Sequence, residues 1–182
     1  GGLNVMLADS SALAEQLVHD VVHSGFNSAG ERCSALRILL VQQEITPRVK
    51  TLLAGCMDEL SVGDPARLDT DVGPVIDDDA LATLEKHAAS IIEDAPWSQR
   101  APLRVTRQGR FFAPLAVEIA SLDRLKCEVF GPIVHVLPYR AKDLDAVVAA
   151  INRLGYGLTL GIHTRIDGLA QRIARTLRVG NV

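Results

Sequence analysis

The chain has 182 residues, 48% of them apolar and 23% charged, the balance of an ordinary globular protein long enough to bury a real core. Its formal net charge of −3 weighs against nucleic acid as a partner, because that affinity rests on a clustered basic face. No apolar run approaches the roughly 20 residues of a membrane span, and the opening GGLNVMLADSS lacks the basic start and cleavage site of a signal peptide.

Strand and helix signals alternate along the chain. NVMLAD (4–9) is a short apolar run, after which Ser10 or Ser11 can cap a helix carrying Leu13, Leu17, Val21 and Val22 at helical spacing. RILLVQ (37–42) reads as a buried strand, and Thr46-Pro47 starts a second helix that runs to about Leu60. Residues 61–79, rich in Gly, Pro and Asp, read as a long ordered surface crossing. A helix follows from about Ala80 to Ile92, with Leu81, Leu84, Ala88 and Ile91 on one face.

Residues 102–120 read as two strands joined around Gly109. IVHVLPY (133–139) and LTLGIHT (158–164) read as further strands, each followed by a helix, KDLDAVVAAINRL (142–154) and DGLAQRIARTLR (167–178). This alternation predicts an α/β fold, a mostly parallel open sheet with helices on both faces. Gly-Gly leads straight into a strand, and RVGNV looks like the start of another, so a piece of a longer polypeptide is expected.

Three cysteines, Cys33, Cys56 and Cys127, lie far apart without a C-x-x-C pair, which favours a reducing compartment over a disulfide scaffold. His19 and His23 form a helical i,i+4 pair with no further ligand at zinc-site spacing, so they read as a solvated helix face and no metal site is assigned. Cys56, among apolar neighbours on a helix, reads as a core thiol, and Cys127 has no evident partner.

Cys33 stands in FNSAGERCSALR (26–37), where composition alone favours a buried thiol. Three local features point instead to a nucleophile. Ser28, Ala29 and Gly30 let the backbone turn tightly at a helix end. Arg32 and Arg37 bring positive charge that favours the thiolate. The cysteine's own N–H could then stabilise an oxyanion.

The same segment resembles the active-site cysteine signature of the aldehyde dehydrogenase superfamily, with Phe26, Gly30, Glu31 and Cys33 in its fixed places. About 95 residues on, EVFGPI (128–133) resembles the family's second signature, Glu-x-Phe-Gly-Pro. GYGLTLGIHTRI (155–166) is similar to its Tyr-Gly-Leu segment, the closing VGNV to its Gly-x-x-x-Val-Asn stretch, and Gly1-Gly2 to the pair after its general-base glutamate. CSALR, SVGDP and DVGPVID resemble most the L-glutamate γ-semialdehyde (pyrroline-5-carboxylate) dehydrogenases, above all the dehydrogenase module of bifunctional bacterial proline-utilization enzymes.

The resemblance implies that Cys33 attacks an aldehyde to form a thiohemiacetal, that hydride passes to NAD, and that water releases the acid from a thioester. It implies that Glu128 binds the nicotinamide ribose and Phe130 packs beside it, while Arg32 and Ser34 hold the substrate carboxylate. It also implies a cytoplasmic, homo-oligomeric parent, with FAD in a proline dehydrogenase module elsewhere. On this reading residues 1–182 are part of the catalytic (thiol) domain, and the general base, oxyanion-hole asparagine and NAD-binding domain lie outside them. No G-x-G-x-x-G occurs, and the piece alone is expected to be inactive. Two rivals are a non-catalytic dehydrogenase-like interaction domain, which Cys33, Glu128 and Phe130 together argue against, and a Cys-His hydrolase, for which nothing orients His19 or His23.

Overall fold

The short apolar runs become strands because their side chains are buried by helices on two sides. A computed structural model describes residues 2–105, 109–155 and 157–182. The strands are β1 (Asn4–Ala8), β2 (Leu36–Gln42), β3 (Ser98–Arg100), β4 (Leu115–Glu118), β5 (Ile133–Tyr139) and β6 (Leu160–His163). They form one sheet in the order β3-β4-β5-β2-β1-β6, parallel throughout except for β3 at one edge. The helices are α1 (Ala14–Phe26), α2 (Thr46–Asp58), α3 (Asp78–Ile92), α4 (Leu144–Arg153) and α5 (Asp167–Thr176).

Neighbouring residues of β5 show both faces covered, as expected for a parallel sheet. Val134 points at α1, where a side chain on Gly25 would meet its methyl at 2.5 Å. The next residue, His135, points the other way to His87 of α3. At the centre of the sheet Ile38, Leu39, Leu40 and Val41 of β2 are all fully buried between parallel partners. Fold class, the mostly parallel sheet and the helices on both its faces therefore follow the sequence pattern.

Three details differ from expectation. Neither Ser10 nor Ser11 caps α1: Leu13 holds the cap position without a side-chain bond. The Ser11 hydroxyl instead donates to buried Asp9 at 2.6 Å, a carboxylate that also receives the Thr164 hydroxyl at 2.6 Å. A buried charge claims nearby donors more strongly than a helix end does. Cys56 is exposed, because α2 buries Thr46, Val49, Leu53 and Met57 and position 56 falls beside that stripe. Of the two strands expected over 102–120 only β4 forms among the described residues, and its antiparallel partner is the earlier β3. Pro102 and Pro114 lack ladder donors. Residues 106–108, in the turn expected between those strands, lie outside the described residues, as do Gly1 and Tyr156 of the signature-like segments.

Among the described residues no helix is long and apolar enough to cross a membrane. The 61–79 crossing is ordered by a parallel bridge between Val62 and Val72.

Candidate active site at the amino edge of the sheet

The site is built from loops that enter strands rather than leave them. Gly2 and Asn4 precede or open β1, Cys33 stands three positions before β2, Glu128 to Gly131 lead into β5, and Thr159 leads into β6. Ligands on open parallel sheets usually gather at the opposite, carboxyl edge. Here the chemistry-bearing side chains gather at the amino edge.

The turn before the cysteine is unusual. Ser28, Ala29 and Gly30 have φ of 56°, 51° and 63°, three consecutive residues in the left-handed region. Only glycine adopts that region freely, so Ser28 and Ala29 each carry strain of roughly 1 kcal/mol. Gly30 needs its missing side chain for a second reason: a Cβ there would lie 2.2 Å from the carbonyl oxygen of Gly131. The Gly131 N–H donates to Gly30 O at 3.2 Å, which joins the two loops backbone to backbone.

Cys33 follows as an exposed free thiol. Its backbone is held from β1: Asn4 Nδ2 donates to the carbonyl oxygens of Cys33 (2.7 Å) and Ala35 (2.8 Å), and Thr159 N–H donates to Asn4 Oδ1 (3.1 Å). Asn4 is 3% exposed, so one buried amide fixes the Cys33 turn to β1 and the entry of β6. Arg32 and Ser34 flank the thiol and are exposed. Ser34 borders a cavity of about 210 Å³ that Ser24, Met6, Thr159 and Gly161 also line.

Glu128 and Phe130 lie on the adjoining loop. Glu128 Oε2 accepts from the Gly2 N–H at 2.8 Å, whereas its Oε1 is buried and has no hydrogen-bond partner. An acceptor oriented but unmatched is suited to a ligand hydroxyl. Phe130 is 44% exposed, with one face beside the Arg37 guanidinium at 5.3 Å. An open aromatic face and a free carboxylate oxygen side by side fit a nicotinamide ribose, so NAD is compatible with the residues present.

Sequence reasoning assigns the Arg37 charge to the sulfur, and the structure places it otherwise. Arg37 is 1% exposed, and its guanidinium donates to Gly131 O at 2.8 Å and Arg32 O at 3.3 Å, with Glu128 Oε1 3.9 Å away. Burial pushes its pKa down, partly offset by the Glu128 charge. Asn4 has no sequence signal that singles it out, being a polar residue at the head of an apolar strand. His19 and His23 stack on the outer face of α1, His19 on Asp20 and His23 on Asn27, with no bond to Cys33 among the described residues. Among the described residues no group of three or more His, Cys, Asp or Glu could hold a metal ion.

Behind the site lies a histidine pair, His135 buried and His87 half-buried. His135 Nδ1 is 2.9 Å from Arg37 O, which can only accept, so that nitrogen carries the hydrogen. The neutral ring then offers Nε2 as an acceptor to His87 Nε2–H at 2.9 Å. Burial pushes the His135 pKa down to about 3, with the His87 and Arg37 charges adding to the fall and the bond to Arg37 O opposing it. Burial also lowers His87.

In the unfolded chain these rings take up protons near pH 6.5, and the native state refuses the one on His135 until about pH 3. Stability is therefore full above about pH 6.5 and is lost as pH falls, by about 1.4 kcal/mol per unit for one such group. Urea unfolding at pH 5 should give a stability about 2 kcal/mol below that at pH 7. Equal stabilities at the two values would contradict this account of the pair.

The arrangement is an α/β sheet whose amino edge carries an exposed thiol on one loop and a carboxylate and an aromatic ring on the loop joined to it. The aldehyde dehydrogenase family model matches residues 1–182, and the chain belongs to that family. Bifunctional protein PutA of Klebsiella aerogenes is 46% identical over 188 residues, covering 100% of this chain and 14% of the relative. The 1-pyrroline-5-carboxylate dehydrogenase of Bacillus cytotoxicus is 29% identical over 184 residues, covering 100% of this chain and 35% of its own length. A crystal structure of a Bradyrhizobium japonicum proline utilization A (PutA) mutant superposes with a TM-score of 0.95 at 46% identity, covering 100% of this chain and 18% of that one. The chain thus spans well under half of each relative.

Proposed function

We propose that residues 1–182 are the thiol-bearing part of the catalytic domain of an NAD-dependent aldehyde dehydrogenase that oxidises L-glutamate γ-semialdehyde to L-glutamate in proline catabolism. The observation that carries this reading is the meeting of the Cys33 turn and the Glu128–Phe130 loop, tied together through Gly2, Gly30 and Arg37. The likeness to proline utilization A and pyrroline-5-carboxylate dehydrogenase sequences supports the substrate and pathway.

In this reading the Cys33 thiolate adds to the aldehyde carbon, forming a C–S bond and an oxyanion. Expulsion of hydride from that carbon leaves a thioester on Cys33. Water then adds, the C–S bond breaks, and the acid leaves with the thiol restored. Bound NAD would supply the two-electron acceptor, held by Glu128 Oε1 at the ribose hydroxyls and by the Phe130 face. Arg32 and Ser34, flanking the thiol, would meet the substrate carboxylate. The parent would be a cytoplasmic homo-oligomer, with a separate NAD-binding domain and an FAD-dependent proline dehydrogenase module in the same polypeptide.

Steady-state NADH formation by the full-length enzyme tests this. Glutamate semialdehyde should exceed propanal in kcat/KM by roughly 100-fold, since a site built for a carboxylate is left unpaired by an apolar analogue. The 182-residue chain alone should form no NADH. Equal rates on both aldehydes would overturn the substrate assignment, and turnover by the isolated chain would overturn the division of labour.

A further inference from the structure

We propose that Arg37 is the positioning residue that sets the nucleophile turn against the cofactor-carboxylate loop. The inference rests on the reading above for the roles of Cys33 and Glu128, and on geometry for its own.

The side chain is re-aimed by a bulge. On β1, Asn4 pairs with Leu36 but Val5 pairs with Ile38, so Arg37 is the extra residue in the ladder. A bulge turns a side chain away from its regular direction. Arg37 reaches the amino edge instead of a helix-covered face, and its backbone is pinned there by His135 at its carbonyl oxygen.

One guanidinium then serves both halves of the site. Nη2 holds Arg32 O, one peptide before the thiol, and Nη1 holds Gly131 O, three residues after Glu128. These carbonyls are 99 residues apart in sequence. The fork of a guanidinium spans two acceptors in fixed geometry, which a lysine ammonium does not. Arg37 also faces Glu128 Oε1 at 3.9 Å, beyond a hydrogen bond. The carboxylate therefore has a buried counter-charge while its oxygen stays free for a ligand. Arg37 Nε is buried without a partner, so the residue has been placed for its two Nη groups at the expense of its own full satisfaction.

Arg37→Met and Arg37→Lys in the full-length enzyme test the proposal. Arg37→Met should raise the NAD KM at least tenfold and lower kcat at least tenfold, with the aldehyde KM and the rate of Cys33 alkylation by iodoacetamide within about twofold of wild type. Arg37→Lys keeps the buried charge but gathers its donors on one nitrogen, without the fork that reaches Arg32 O and Gly131 O together. It should fold as wild type by thermal melting and still show an NAD KM raised at least fivefold.

If Arg37→Met does not fold, Arg37→Lys decides. An NAD KM and kcat within twofold of wild type in a folded variant overturns the proposal. So does a uniform loss in which kcat, alkylation and both substrate affinities fall together with the folded fraction, the mark of a merely structural residue. Failure of the wild-type enzyme to oxidise any aldehyde would instead strike the functional reading.

Discussion

Cys33→Ser in the full-length enzyme is expected to reduce aldehyde oxidation by on the order of 10⁴-fold or more while leaving the melting temperature within about 2 °C. The first half follows from chemistry: a serine hydroxyl is a far poorer nucleophile at neutral pH, and among the described residues no histidine stands bonded to position 33 to activate it. The second half follows from burial. Cys33 is exposed, and its backbone is held through its carbonyl by Asn4, a bond that the substitution leaves in place. Cys56 and Cys127 are also free and exposed, so Cys56→Ser and Cys127→Ser are matched controls. Both should keep full activity. More than a tenth of wild-type turnover in Cys33→Ser would remove the covalent mechanism.

The second large effect lies at Gly30. Gly30→Ala should destabilise the protein by about 2–4 kcal/mol and lower turnover by roughly 100-fold. About 1 kcal/mol of this comes from forcing a side chain into the left-handed region at φ 63°. The rest comes from collision with backbone: the new methyl would stand 2.2 Å from Gly131 O, 2.4 Å from its carbonyl carbon and 2.7 Å from Pro132 N. Those atoms carry the loop that bears Glu128, so the strain is transmitted to the site rather than absorbed by a flexible side chain. Gly55→Ala is the contrasting control. Gly55 sits within α2 with nothing within 4 Å of a new methyl, and the change should stabilise by about 0.5–1 kcal/mol. Chemical denaturation of both variants tests the pair, and a Gly30→Ala protein as stable as wild type would refute the close approach of the two loops.

How far the sequence reaches depends on whether a feature is local. The buried strands announce themselves as apolar runs, and α3 as a stripe of Leu84, Ala88 and Ile91, though it starts at Asp78 with Asp77 as its cap, two residues before the sequence places it. A tight turn can be anticipated from Ser28-Ala29-Gly30, but not that Ser28 and Ala29 take the left-handed region, and composition alone would bury Cys33, which is exposed. Features made by distant partners are not legible. Asn4 looks like any polar residue at a strand start until Cys33, Ala35 and Thr159 converge on it. Arg37 carries a charge that sequence reasoning directs to its neighbour at position 33, whereas the bulge sends it to Gly131. Cys56 is misplaced by its context because apolar neighbours in sequence are not neighbours on a helix face.

The β2–β5 ladder, in which Ile38 pairs with His135 and Gln42 with Tyr139, acts as a ruler for the candidate site. Both loops run directly off its starting end, so adding or removing one residue between Cys33 and Ile38, or between Glu128 and Ile133, shifts one arm by a rise of about 3.3 Å. A length change there would have to be taken up as a bulge, as Arg37 is in β2, for the two loops to stay in step. The crossing at 61–77 stands outside that ladder and meets the cysteine turn through a side chain, Glu31, which accepts from the Ile76 N–H at 3.1 Å. Upstream of Ile76 the crossing can change length without moving the Cys33 and Glu128 loops relative to each other.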